Sequence, residues 1–210
     1  PNLKGAERAL SVGVDEFNLV MSVSEAHNQS NLKMSREDSF KGLVSVIDLA
    51  HANNTAVNIS LSTSFGCPMS GITALAELMR WVDRFADAGV RGITICDTTG
   101  MANPAQVQEI CDAVQTKYPK LQWTLHFHNT RGMGLANALA AVNSGIDRFD
   151  SSLGGLGGCP YAPGATGNIC TEELAHMLDL MGFDTNMQID SLLVSSKDLQ
   201  SLIGRTLPSQ

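Results

Sequence analysis

The sequence predicts an α/β fold of parallel strands, and three observations carry that prediction. Short runs rich in β-branched residues alternate five times with longer amphipathic stretches. A helical stretch follows every strand-like run, and that order argues for a parallel sheet or a barrel. The polar, chemistry-bearing side chains also gather at or just past the C-terminal ends of the runs. They are Glu25 and His27, Thr63 and Cys67, Asp97 and Thr98, His126 and His128, then Ser151, Ser152 and Cys159. Core filling produces no such asymmetry, whereas (β/α)₈ enzymes build their sites at that end.

Each element has its own signal. Residues 2–12 read as a short helix, and the first strand is expected at 15–24. Ser35, with Glu37 and Asp38 behind it, opens a helix whose stripe is Phe40, Leu43, Val44 and Ile47. The second strand is expected at 55–64, where Val57, Ile59 and Leu61 alternate. Its helix carries Ile72, Leu75, Leu78, Met79, Val82 and Phe85, and Gly89 follows its end. The third strand is 92–97. Asn103 then caps a helix with Pro104 in its first position, and Val107, Ile110 and Val114 face the core. The fourth strand is 121–128, and its helix spans about 133–144 before Gly145. The fifth strand is 148–153. Thr171 caps a helix reaching Met181, and a further helix covers 191–203. No low-complexity linker interrupts residues 1–210, so one domain is expected. Five units are too few to close an eight-stranded barrel.

Composition narrows the function. The chain is 43% hydrophobic and 17% charged with a net charge of -7. Nucleic acid would want a basic face, so that class is disfavoured. No apolar run is long enough to span a bilayer. An anionic substrate would need local positive charge, such as a metal ion. The five cysteines are odd in number and form no C-x-x-C pair, so a reduced, cytoplasmic setting is expected. Any targeting segment, a mitochondrial one included, would precede Pro1.

Two constellations bear chemistry. His126 and His128 lie one residue apart on a strand, so their imidazoles point the same way. A pair of core histidines is the plain alternative. Two on one strand face at the C-terminal mouth favour a metal, in a mixed nitrogen and oxygen shell suited to Mg²⁺, Mn²⁺ or Zn²⁺. Asn168 is a candidate oxygen ligand, and Asp97 is the nearest carboxylate. The second constellation is the glycine-rich stretch 154–168, with Cys159 between Gly158 and Pro160. A free cysteine is usually a small buried hydrophobe, but this loop setting suits a thiol acting in proton transfer near a metal. The stretch matches neither G-x-x-x-x-G-K-[ST] nor G-x-G-x-x-G, so a mobile lid is expected rather than a phosphate cradle. Cys67, with no glycine run, reads as structural. Asp97 and Thr98 read as a second layer, a substrate contact or a loop cap. Glu25, His27 and Asn31 either line the mouth or sit in a solvated loop.

With these residues together, the sequence resembles the hydroxymethylglutaryl-CoA lyase family. The resemblance runs from Pro1-Asn2-Leu3-Lys4-Gly5 through Ser24-Glu25, Asn31, Gly66-Cys67-Pro68, Asp97-Thr98, His126-Phe127-His128 and Asp150-Ser151-Ser152. It ends in Gly155-Leu156-Gly157-Gly158-Cys159-Pro160-Tyr161-Ala162 and Gly164-Ala165-Thr166-Gly167-Asn168, of which the first is highly specific. It implies a (β/α)₈ TIM barrel, present here as about strands 4 to 8, and a divalent metal, Mg²⁺ or Mn²⁺ before Zn²⁺. It implies His126, His128 and Asn168 as metal ligands, and Cys159, His126 and Asp97 as catalytic residues. Asn31, Thr98 and Ser60 are the substrate-binding candidates. The implied reaction is metal-assisted retro-Claisen cleavage of 3-hydroxy-3-methylglutaryl-CoA to acetyl-CoA and acetoacetate, as in leucine degradation and ketone-body formation. A homodimer is the expected assembly.

Two departures qualify the resemblance. The family's first strand carries an Asp-Arg pair, and neither Asp83-Arg84 in a helix nor Asp147-Arg148 entering the fifth strand can be that pair. The chain is therefore expected to be an N-terminally truncated barrel, inactive alone. Second, Ser60 stands where typical members have tyrosine, which keeps citramalyl-CoA or another 3-hydroxyacyl-CoA as an alternative substrate. Hydrolysis of the amidohydrolase type would want H-x-H on the first strand and further histidines. A scaffold without catalysis would bind no metal.

Overall fold

The computed structural model describes residues 2–157 and 167–207. In chain order its elements begin with α1 (Leu3–Leu10), β1 (Glu16–Ser22), α2 (Glu25–Leu32), α3 (Arg36–Ala52) and β2 (Ala56–Ser62). A two-residue hairpin, β3 (Gly66–Cys67) and β4 (Gly71–Ile72), precedes α4 (Leu75–Asp87) and β5 (Gly92–Asp97). Then come α5 (Pro104–Lys117), β6 (Gln122–Phe127), α6 (Gly134–Asn143) and β7 (Phe149–Asp150). A 3₁₀ turn (Leu153–Gly155), α7 (Thr171–Leu180) and α8 (Ile189–Ile203) complete it.

The main sheet has the order β1-β2-β5-β6-β7, and every pairing is parallel. Strand order follows chain order without reversal. That is the wall of a (β/α) barrel, not a doubly wound sheet, which reverses at a switch point. Alternation divides the wall. Phe17, Leu19, Met21, Val57, Ile59, Leu61, Ile93, Ile95, Trp123, Leu125 and Phe127 are buried against the helices. The other face carries Asn18, Asn58, Ser60, Thr94, Cys96, Thr124 and His126. These polar residues satisfy one another: Asn58 Nδ2 donates to Asn18 Oδ1 (2.9 Å) and Thr94 Oγ1 (2.8 Å), and Ser60 Oγ donates to Asn18 Oδ1 (3.0 Å).

The helix starts follow the expected chemistry. Ser35 Oγ accepts from Asp38 N at 3.0 Å, and Asn103 Oδ1 accepts from Gln106 N at 3.1 Å with Pro104 behind it. Gly89 and Gly145 take the left-handed conformation just past α4 and α6. Four expectations need correction. Residues 25–32 form α2, whose polar sequence has no apolar stripe but whose N-cap, Ser24, accepts from His27 N. Ile72 is exposed on β4 instead of buried on α4. The last strand is only Phe149–Asp150, because the chain turns into the 3₁₀ segment. Cys170, not Thr171, is the residue before α7, and the Thr171 hydroxyl pairs with Ser151 Oγ at 2.8 Å.

Candidate active site

The site forms where β6 ends. His126 is half-buried, and its Nδ1 stands 3.8 Å from Oδ2 of Asp150, its register partner on β7. His128, one pleat further, is 6% exposed, and the two ring centroids are 5.2 Å apart. The third member arrives from the far side of the glycine-rich stretch. His128 and Asn168 form an antiparallel bridge, with Ile169 N donating to Phe127 O (3.0 Å) and Asn129 N to Gly167 O (3.1 Å). At the base of the same stretch, Gly167 N donates to Gly157 O at 2.7 Å. Cys159 itself lies outside the described residues, as do residues 158–166 of the expected lid.

The Asn168 amide is oriented by its neighbours. Its Nδ2 donates to Leu156 O at 2.9 Å and lies 3.4 Å from Ser152 Oγ. Among the described residues, the carbonyl oxygen Oδ1 is thereby left for a ligand. Gly157 makes this fit, because a Cβ there would stand 2.6 Å from Asn168 Nδ2, and its φ is +120°.

The charge state suits metal binding. Burial pushes the His126 imidazole below its usual range, with the Asp150 carboxylate opposing, and burial with the neighbouring His126 brings His128 down to about 4. Both rings are neutral at neutral pH, the form that ligates. Among the described residues, the buried His128 Nδ1 has no partner, and such an orphan needs an account. Two neutral imidazoles, one of them with this orphan, and one amide oxygen fit a divalent cation.

Asp97 does not join them. Among the described residues no three His, Cys, Asp or Glu side chains come within reach of one ion. The expected carboxylate ligand is therefore not Asp97, and strand alternation gives the reason by placing it with Ile93 and Ile95 on the helix side. Its Oδ1 caps the following loop, accepting from Met101 N (2.8 Å) and Ala102 N (3.2 Å), while Oδ2 is buried with no partner among the described residues. Burial raises this carboxyl to about 6 against the pull of those amides and of Arg131.

The remaining candidates are spread around the same rim. Thr98 Oγ1 accepts from Thr63 N at 2.9 Å and so fastens the loops after β2 and β5. Ser60 sits in the polar layer with Asn18, below the level of His126. Asn31 is half-buried on α2. On the same helix His27 is buried with Nδ1 2.7 Å from Ser22 Oγ, and Glu25 pairs with Arg36. Cys67 is buried and accepts from Met69 N at 3.4 Å, in keeping with a structural role. The Asp83-Arg84 pair is spent on α4, Asp83 on Lys117 and Tyr118, Arg84 on Glu37. Sequence reasoning missed two features. The pairing of Asp150 with His126 had a signal, a carboxylate at a strand end. The grip of Leu156 O on Asn168 had none, because a backbone carbonyl carries no residue identity.

A family model described as HMGL-like matches residues 1–199. The chain belongs to this family. It is 40% identical over its whole length to hydroxymethylglutaryl-CoA lyase YngG of Bacillus subtilis, covering 70% of that protein. It is 35% identical to (R)-citramalyl-CoA lyase of Chloroflexus aurantiacus, covering 66% of it. A structure of an HMG-CoA lyase from Acinetobacter baumannii, in complex with coenzyme A and 3-methylmalate, superposes with a TM-score of 0.95 at 46% identity. All of this chain and 68% of that one are covered. The chain thus spans roughly two thirds of the length of these HMGL-like relatives. HMGL-like proteins are generally dependent on a divalent metal.

Proposed function

We propose that the protein cleaves 3-hydroxy-3-methylglutaryl-CoA to acetyl-CoA and acetoacetate. The observation that supports this most is the bridge that sets Asn168 beside His128, at the end of β6, in a chain 40% identical to a hydroxymethylglutaryl-CoA lyase. His126, His128 and Asn168 would hold a divalent ion, Mg²⁺ or Mn²⁺ in the first instance. When bound, such an ion supplies the positive charge that neutralises the substrate carboxylate and acidifies its tertiary hydroxyl.

The chain's own residues do the rest. A general base takes the hydroxyl proton, the oxygen closes to a carbonyl as the carbon–carbon bond breaks, acetoacetate departs, and the bond's electron pair remains on the enolate of acetyl-CoA. That enolate carbon must be protonated, and Cys159, with His126, is the proposed donor. Asp150 beside His126 only partly offsets the desolvation that keeps the ring neutral. Asp97 acts at a distance by holding the loop at Met101 and Ala102. Ser60, Thr98 and Asn31 are the proposed contacts to the acyl thioester, and we take the assembly to be a homodimer.

Cys159→Ser is expected to lower turnover by at least about 10²-fold while metal binding persists. Near-normal turnover would remove Cys159 from the mechanism. A second reading, cleavage of citramalyl-CoA, draws on the 35% identity to a lyase of that name and on Ser60 in the polar layer. Parallel assays on both thioesters separate the two.

A further inference from the structure

We infer that Glu172, in the first turn of α7, is a positioning residue that aims the Asn168 amide, and this rests on the reading of Asn168 as a ligand. Glu172 is buried, and both carboxylate oxygens accept from the backbone N–H of Gly154, at 3.1 and 2.9 Å. The same carboxylate accepts from the Cys170 thiol at 2.8 Å and from the Ser196 hydroxyl on α8. A buried carboxylate is costly unless its lone pairs are filled, and here they are filled by three different segments. Burial alone would raise this carboxyl, yet its bonds to Cys170, Gly154 and Ser196 hold it below the usual range, so it is ionised.

What Glu172 holds is the 3₁₀ turn Leu153–Gly155. Gly154 has φ +60° and Gly155 φ +67°, and Gly155 N and Leu156 N close the turn onto Ser152 O and Leu153 O at 3.0 and 3.1 Å. The turn is also closely packed, since a Cβ on Gly154 would come within 2.3 Å of Leu207 and 3.0 Å of Ser196 Oγ. Fixing the turn fixes where Leu156 O points. That carbonyl takes the Asn168 Nδ2 hydrogen bond, and the Ser152 hydroxyl donates to it as well. An amide is planar, so pinning its nitrogen decides where its oxygen goes. Glu172 thus reaches the ligand through Gly154 and Leu156, touching neither metal nor substrate.

The test is Mn²⁺ binding to the intact protein, followed by the electron paramagnetic resonance of the free ion. Groups that orient ligands typically contribute about 10- to 100-fold in affinity. Glu172→Gln keeps the shape but turns one acceptor into a donor facing Gly154 N–H, and a tenfold or greater rise in Kd is expected. Glu172→Asp, which retracts the carboxylate by one methylene, is expected to fall between, and it serves if the glutamine variant does not fold. A lowered melting temperature with unchanged Mn²⁺ affinity in a folded variant would overturn the inference, leaving Glu172 a packing residue. No Mn²⁺ binding by the unmutated protein would instead remove the reading of Asn168 as a ligand, and this inference with it.

Discussion

His128 shows how one buried side chain links pH to stability. Its imidazole titrates near 6.5 when exposed and at about 4 in the fold. Between those values the unfolded chain binds a proton that the native one refuses, so native stability falls as pH drops through that window. Asp97 works the other way: its carboxyl is raised from 3.8 to about 6, and the stability it contributes is lost as the pH rises between those two values. The two opposing terms are separated by comparing proteins, not pH values. In chelator, His128→Gln should lose less melting temperature than the parent between about pH 7 and pH 5. Identical pH profiles would refute the assignment. Gly157 supplies a second prediction at this scale. Alanine there meets Asn168 Nδ2 at 2.6 Å and adopts a φ of +120°, which only glycine tolerates. Gly157→Ala should cost about 1–3 kcal/mol in denaturant unfolding and weaken metal binding, whereas Gly13→Ala, with a similarly positive φ but open space around it, should leave the metal alone.

Among the elements, α5 is the plainest case of local sequence dictating structure. Asn103 accepts the Gln106 amide and Pro104 presets the first turn, so the helix begins where the sequence says it must. Asn103→Ala should cost about 1 kcal/mol by urea titration, with no change in metal affinity. Elements of this kind were legible in advance: α3, α4, α5, α6 and the strands β2, β5 and β6 all follow their apolar periods. The helix α2 was not, because Glu25–Leu32 buries only His27 and Asn28 and shows no stripe. It is held by side-chain bonds instead, Asn28 to Ser22, Met34 and Ser39, and His27 to Ser22. β7 was overestimated for the converse reason. Its sequence is strand-like, but Ser152 is already committed to Ile169 O and to the bridge with Cys170.

For the whole molecule, the five-stranded wall leaves β1 and β7 as edges and turns Asn18, Asn58 and Ser60 toward a face that no described element covers. Closed barrels have no edges, and exposed strand edges recruit other chains. Residues 1–210 expressed by themselves should therefore self-associate, with sedimentation coefficients rising with concentration. A single concentration-independent monomer would contradict this.

The division between sequence and structure follows the range of the forces. Apolar period, caps and turn glycines act over a few residues, so the sequence by itself determined the parallel α/β wall, the mouth at its C-terminal end and the shared direction of His126 and His128. Only the tertiary structure decided which further groups meet them. Asp97 falls on the helix side because alternation and the Met101 and Ala102 amides claim it. Asn168 reaches His128 because a backbone bridge returns the chain there, and its amide is oriented because Leu156 O and, behind it through Gly154, Glu172 hold the nitrogen. Those contacts join residues far apart in sequence through backbone atoms, and a backbone carbonyl looks the same in every residue type.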